Sequence, residues 1–452
     1  VKIKYVPRVG FRGQCGDVMS HYGYSLTGGK DNHSIDDILN NDCLLQILVR
    51  LDGEDLLNTC HVNRRWQHLT NLAWRQVKFM IGYCTIKRLI NLKKFHSPDV
   101  SVCYGLGLRE LLRRTNKQLR KLHLYVGDLN IKGSTLGKLI GEACPKLTIL
   151  KTGCFTREFL EVFLHCPNLR EIDVDWIVND DVLTEVLNRC QTLNTLKCFT
   201  DSTKLHELFQ ECPPGLSSLD INNGSEIHSA FIYTLSKRCQ RLVKLSLYGY
   251  MSHGMVTSVC TQLVHLTHLT LMCDNHDILP ALPLQLMCNL QYLDISYNNI
   301  DDKTLCNVGH CPTLHKLRLE CMRVIDINNH MRWIMPTFLR TLDLKYNKTL
   351  SLVGISYISK IKTLQCLVLC GCGIGDEAVT TLLEGEHALR ILDVAFTRVS
   401  LKILGCLARY MIGRSHSITV YVKETFIPEV VQVPCANIHL NWRHYYYNTV
   451  NR

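Results

Sequence analysis

Three cysteines at 366, 370 and 372, and two histidines at 265 and 268, are the first groupings in this 452-residue chain whose chemistry could hold a metal. Zinc needs such donors to converge at ~2.0–2.3 Å. Cys366 and Cys370 fall four residues apart on one side of an expected strand, about 13 Å from each other, too far to share one ion. Cys372 falls in the turn beyond. His268 lies inside another expected strand, and no His-Glu-x-x-His pattern occurs. Gly28-Gly29-Lys30 and Gly105-Leu106-Gly107 are lone glycine pairs outside any strand–turn–helix context, so neither reads as a phosphate loop. The expectation is a non-catalytic protein with no cofactor and no metal.

The elements that must carry any function announce themselves by period. Leu-x-x-Leu-x-Leu, or a close relative, opens at 119, 147, 169, 193, 216, 242, 266, 290, 314, 339, 364 and 389. Eleven steps over 270 residues give a mean of ~24.5, inside the ~20–29 range of leucine-rich repeats. The second and third leucines of each motif are two apart and share one face of a pleat. Only a stacked neighbour can cover them, so one unit alone cannot fold. Helical spacing follows, as in Ile300, Leu305 and Val308. Asp180, Ser229, Asp302 and Asp376 stand where side chains could cap those helices. The fold class is therefore α/β, a curved, right-handed solenoid of strand–turn–helix repeats. No Pro/Gly/Ser linker interrupts the register, which predicts one array.

Composition is that of an ordinary globular chain, 46% hydrophobic and 20% charged. No run approaches the ~18 apolar residues of a membrane span, and residues 1–30 lack a secretory core. Of 23 cysteines, Cys144, Cys166, Cys190, Cys239 and Cys311 lie three residues before a repeat-opening leucine, with Cys212 and Cys288 close to that offset. They read as small buried side chains at helix-to-strand corners. The absence of a signal and the odd count point to reduced thiols, in cytoplasm or nucleus. The sequons at Asn223 and Asn347 are then idle.

Residues 34–80 break the period. Leu44, Leu45, Ile47, Leu48 and Leu51 follow helical spacing, with Asn40, Asn41 or Asp42 placed to cap it. Leu56, Leu57 and Cys60 form a second stripe, and Val62, Trp66 and Leu69 a third. About fifty residues cannot bury all of these, so some should meet a partner.

This stretch resembles the F-box: Leu39 to Leu48, then Leu51, Asp55-Leu56-Leu57, Val62-Asn63-Arg64-Arg65-Trp66, Leu69 and Ala73-Trp74 follow that motif in order and spacing. It departs at Asn40, usually proline, at Leu48, commonly phenylalanine, and at Asn63, frequently cysteine. Together with cysteine-bearing repeats, the order of modules is similar to the F-box and leucine-rich-repeat family. The resemblance implies a substrate receptor that docks on the Skp adaptor of a cullin–RING ubiquitin ligase and holds a protein substrate. Carried over by residue, Leu39, Leu44, Leu45, Ile47, Leu48, Leu51, Leu56, Leu57 and Val62 would supply adaptor-facing and internal apolar surface. Trp66 and Trp74 would hold the motif together and join it to a first strand near Val77 and Phe79. The alternative is a ligase-independent repeat scaffold whose helical piece only caps the array.

Strand residues flanking the buried leucines would face the substrate, among them Tyr125, Asp173, Asp175, Tyr248, Tyr292, Asp294 and Arg318. Five repeats carry Asp in the central column (Asp173, Asp220, Asp294, Asp343 and Asp393), against Lys151, Lys197 and Arg318. The column reads either as a weakly acidic groove for a basic segment or as an aspartate ordinary to that position; composition favours the second. Basic charge concentrates elsewhere: residues 64–121 hold 14 Lys or Arg against Asp99 and Glu110. Arg109, Arg113, Arg114 and Lys117 would share a helical face able to attract an acidic partner. No nucleic-acid-binding fold accompanies that charge, and neither nucleic acid nor membrane is expected as a partner. The domains expected are a disordered segment 1–33, an F-box 34–80, an irregular first repeat or linker 81–118, repeats 119–425 and a tail 426–452. Ile418, Val420 and Val422 would add a thirteenth strand, and the tail's Trp442 and Tyr445 to Tyr447 would cap the end.

Overall fold

The computed structural model describes residues 39–51, 56, 59–60, 62–76, 79–84, 117–126, 133–155, 157–177, 179–274, 278–279, 281–323, 327–334, 338–385, 388–428, 432–433 and 435–442. The amino-terminal segment, the cluster Arg109, Arg113 and Arg114, Leu57 and Tyr445 to Tyr447 lie outside them. The chain divides into two compact units, residues 1–193 and 194–452.

The first unit begins with helices α1 (Asn41–Leu48) and α2 (Arg64–Trp74). Both open on an asparagine cap: Asn40 Oδ1 accepts from the Cys43 amide at 2.8 Å, and Asn63 Oδ1 accepts from the Trp66 amide at 2.9 Å. Two of the three departures from the F-box pattern are thus caps, which satisfy free first-turn amides without proline. Arg65 ties the helices together, donating from Nε to Asn41 Oδ1 at 2.8 Å and from its guanidinium to the Leu39 carbonyl at 2.6 Å. Strands β1 (Phe79–Cys84), β2 (Lys121–Val126), β3 (Ile149–Phe155) and β4 (Glu171–Ile177) follow, parallel and in chain order. Leu122 pairs in register with Leu150, and Leu150 with Ile172, all buried. β1 therefore is the first strand expected after Trp74. Helix α3 (Gly133–Ala143) lies between β2 and β3, and α4 (Asp180–Arg189) follows β4.

The second unit is a longer run of the same design. Strands β5 (Thr195–Thr200), β6 (Ser218–Ile227), β7 (Lys244–Met251), β8 (His268–Cys273), β9 (Tyr292–Asp294), β10 (Lys316–Arg318), β11 (Thr341–Asp343), β12 (Cys366–Val368), β13 (Ile391–Asp393) and β14 (Ile418–Tyr421) pair parallel in chain order. Leu269, Leu293, Leu317, Leu342, Leu367, Leu392 and Val420 align across them as one buried ladder. Covering each leucine by the next repeat is what the period demanded. One more strand, β15 (Ile438–Asn441), pairs with β14 where only a tail was expected. Its alternation, Ile438-x-Leu440, is too short to stand out in sequence.

Helix starts agree with the sequence to one residue, and the caps do not. Asp180 and Asp302 are first helical residues; Asn179 and Asp301, one earlier, accept the amides of Val182 and Thr304. Ser229 follows His228, which makes no cap bond. Asp376 instead accepts the Ser400 amide and hydroxyl of the next repeat, each at 2.6 Å.

The corner cysteines are buried as expected, except Cys288, which is exposed. Cys166, Cys190 and Cys311 donate to carbonyls one repeat back, and burial raises the Cys166 and Cys190 thiols to about 12. The Cys212 and Cys239 sulfurs meet across successive corners, with their Cα atoms 7.0 Å apart. Cys239 lies three and Cys212 four residues before a repeat-opening leucine, so the repeat itself brings them together. Both sequon asparagines are buried: Asn223 and Asn347 each bridge a turn to the preceding repeat with side-chain amide bonds.

Candidate functional site

Two surfaces follow from these elements. The first belongs to the helical module. Leu44 and Leu48, one turn apart on α1, are fully buried, as is Leu56; they form the module's own core. Leu39, Leu45, Leu51 and Trp66 are partly exposed, and Trp74 is buried. Ile47 and Val62 remain 45% and 58% exposed. Both are β-branched side chains left in water on the module's outer face. The residues carried over from the resemblance therefore separate into core and surface, a distinction that spacing alone did not make.

The second surface is the strand face of the second unit, and here the expectation needs correcting. Asp294, Asp343 and Asp393 are buried, not exposed. Each accepts the amide two residues on, from Ser296, Lys345 and Ala395, at 3.0–3.1 Å. An aspartate at this position closes the turn that leaves the strand, which explains its recurrence. On the strands of the first unit, Asp173 is paired with Lys151 at 2.9 Å, and Asp175 is exposed. In the second unit Tyr248 and Tyr292 are half-buried; the side chain of Tyr125, in the first, lies outside the described residues.

Arg318 organises this face. Its guanidinium contacts Asp294 Oδ2 and Asp343 Oδ2, both at 3.1 Å, and Glu320 as well. The Tyr292 hydroxyl donates to Asp294 at 3.2 Å, and the Tyr297 hydroxyl to Glu320 at 2.6 Å. Lys345 Nζ stands 4.0 Å from Asp343. Burial disfavours the Arg318 cation, yet three carboxylates more than offset it and hold its pKa above the usual value. Burial likewise raises Asp343, and lifts Asp393 to about 6. Glu320, a strand residue expected to face the substrate, belongs to this group, and so do Lys345, Tyr297 and Tyr346, which spacing did not single out. The repeated pair Tyr297-Asn298 and Tyr346-Asn347 was the signal that could have found two.

Cys366 and Cys370 are buried beside Val368 and Ala395, not on an exposed face. Cys372 occupies the turn position filled by asparagine elsewhere and donates to the Leu344 carbonyl at 3.0 Å, with its thiol raised by burial to about 12. Among the described residues no group of three or more potential ligands could hold a metal ion, and no helix is long and apolar enough to cross a membrane.

The F-box-like family matches residues 41–80, and a leucine-rich repeat family matches residues 287–303. The chain thus joins an F-box-like module to leucine-rich repeats, the arrangement of the F-box and leucine-rich-repeat family. No curated protein sequence matches it. Among solved structures it is similar to an internalin, InlF, from Listeria monocytogenes, at 15% identity over 84% of this chain and 94% of that one, with a TM-score of 0.39. It is also similar to the Rad7 and Elc1 complex of yeast, at 14% identity over 91% and 99%, TM-score 0.47. A third is the TLR13–ssRNA13 complex, at 16% identity over 72% and 42%, TM-score 0.38. These are likenesses of backbone alone.

Proposed function

We propose that this chain is the substrate-recognition subunit of an SCF-type cullin–RING ubiquitin ligase. In that role its F-box-like module docks on the Skp adaptor, and its repeats hold a protein substrate for ubiquitination and proteasomal degradation. The protein itself is not an enzyme in this reading; the ligase core supplies the chemistry, in cytoplasm or nucleus. The observation that carries it is the apolar surface left on a module of F-box order, where Ile47 and Val62 are exposed and Leu45 and Leu51 partly exposed.

Charged substitution at Leu44 is a poor test, because that side chain is core and its loss would unfold the module. Ile47→Asp combined with Val62→Asp changes only surface. Co-precipitation from cells should then lose adaptor and cullin peptides while the circular dichroism and melting temperature stay unchanged. Undiminished adaptor capture by the double variant would remove the docking assignment. Absence of adaptor from the wild-type precipitate would leave the scaffold reading in its place.

A further inference from the structure

Just past the strands of the second unit runs a row of residues in left-handed conformation. Tyr297, Cys321, Tyr346, Gly371, Phe396 and Glu424 all have φ between 49° and 70°. Each amide of the first five bonds the carbonyl that precedes the next member: Tyr297 to Glu320, Cys321 to Lys345, Tyr346 to Cys370, Gly371 to Ala395 and Phe396 to Lys423, at 2.8–2.9 Å. The row is therefore in register from repeat to repeat. Large and small residues alternate along its first five members. Tyr297 and Tyr346 stand two repeats, about 10 Å, apart with only Cys321 between them. A Cβ on Gly371 would come within 2.5 Å of the Tyr346 ring, so that ring leans over Gly371. The Tyr297 hydroxyl reaches Glu320 beside Cys321, so its ring leans the same way, over the next repeat. The two rings, 39% and 46% exposed, thus keep their two-repeat spacing and leave a slot one repeat wide between them.

The chemistry behind the slot is unbalanced. Among the described residues, Asp294, Glu320, Asp343 and Asp393 lie against Arg318 and Lys345, two more carboxylates than cations. Glu320, bonded to the Tyr297 hydroxyl, brings that charge to the wall itself. Arg323 and Lys348, two residues past the row, stand in solvent, where salt screens them. The row already accepts a cation once: Lys423 Nζ lies 5.8 Å from the centre of the Phe396 ring.

We propose that the Tyr297–Cys321–Tyr346 surface docks a basic segment of a partner protein, with a lysine or arginine side chain entering between the two rings. Aromatic faces attract such a cation, and the carboxylate excess behind them complements its charge. The aspartate column does not contact the segment; it is buried turn structure whose charge is felt at the slot. The proposal rests on the reading that the repeats recognise protein and names the class of partner. It does not depend on adaptor docking, which uses residues 39–66.

Asparagine tolerates left-handed backbone far better than tyrosine. Tyr297→Asn with Tyr346→Asn therefore removes the rings while relieving the backbone. The probe is a fluorescein-labelled peptide of six Arg-Gly pairs, with citrulline-Gly and Glu-Gly analogues, titrated into the full chain by fluorescence anisotropy. The arginine peptide should bind and the two analogues should not, although the protein carries a net +11. The double variant should bind at least tenfold more weakly with an equal or higher melting temperature, and Tyr233→Asn, on a helix of the same unit, should change nothing. Equal binding of arginine and citrulline peptides would overturn the proposal, as would undiminished binding by the double variant. So would a melting temperature lowered by several degrees, since the rings would then be structural. If the peptide binds as expected while adaptor capture fails, the partner class stands and the ligase reading falls.

Discussion

The helical module and the repeats of the second unit solve the same problem, too little core per element, in opposite ways. The module closes a core of Leu44, Leu48 and Leu56 with two asparagine caps and an arginine tie, and leaves Ile47 and Val62 outside. The repeats bury the leucines of their strands, because each is covered by its successor. That close stacking draws polar side chains inside too, so Asp294, Asp343 and Arg318 must satisfy one another. A locally closed element can be cut at its surface without cost. A stacked one transmits each loss to its neighbours.

The strongest test of that contrast is Arg318→Ala. It would strand three buried carboxylates, and removal of one partner from a buried ion group typically costs ~3–5 kcal/mol. Urea unfolding should show a loss of that size in the second unit; a loss below about 1 kcal/mol would mean the group is solvated and the contrast overstated.

The next test uses pH. Burial raises Asp393 from 3.8 to about 6 in the folded chain. A raised carboxyl binds its proton more tightly when folded, so its contribution is fully present below pH 3.8 and is lost as pH rises through about 6. At 1.36 kcal/mol per unit this amounts to ~3 kcal/mol. Asp393→Asn should flatten the stability profile between those pH values and leave the protein more stable than wild type at pH 7. Its amide oxygen can still accept from Ala395. An unchanged profile would show that Asp393 ionises freely.

The smaller effects belong to the module. Asn40→Ala or Asn63→Ala should each cost ~0.5–2 kcal/mol. Hydrogen exchange should register the loss in 41–48 or 64–74 and leave the strands of the second unit as protected as before. Spread of the loss into those strands would contradict local closure. Smallest of all, Ile47→Ser should change stability by no more than about 0.5 kcal/mol, measured by thermal melting; a larger drop would make Ile47 core and leave the module without its apolar face.

Much of this molecule was legible in its sequence because a repeat states its local pattern many times. The leucine register, the helix starts to within a residue, the buried cysteine corners and the turn role of Cys372 all follow from spacing within one unit. The F-box order was legible for the same reason, as a local succession of apolar stripes. Side-chain environment was not. Leu44 and Ile47 look alike in a helical stripe, and only the fold buries one and exposes the other. Asp294, Asp343 and Asp393 stand at a position that alternation alone points outward, yet turn geometry and stacked neighbours bury them. Gly371 and Tyr346 are 25 residues apart in the chain and in contact in the fold. Periodicity determines which side of its own element a residue takes. Exposure, charge balance and the slot between two tyrosines depend on what the next repeat places opposite, and only tertiary structure decides that.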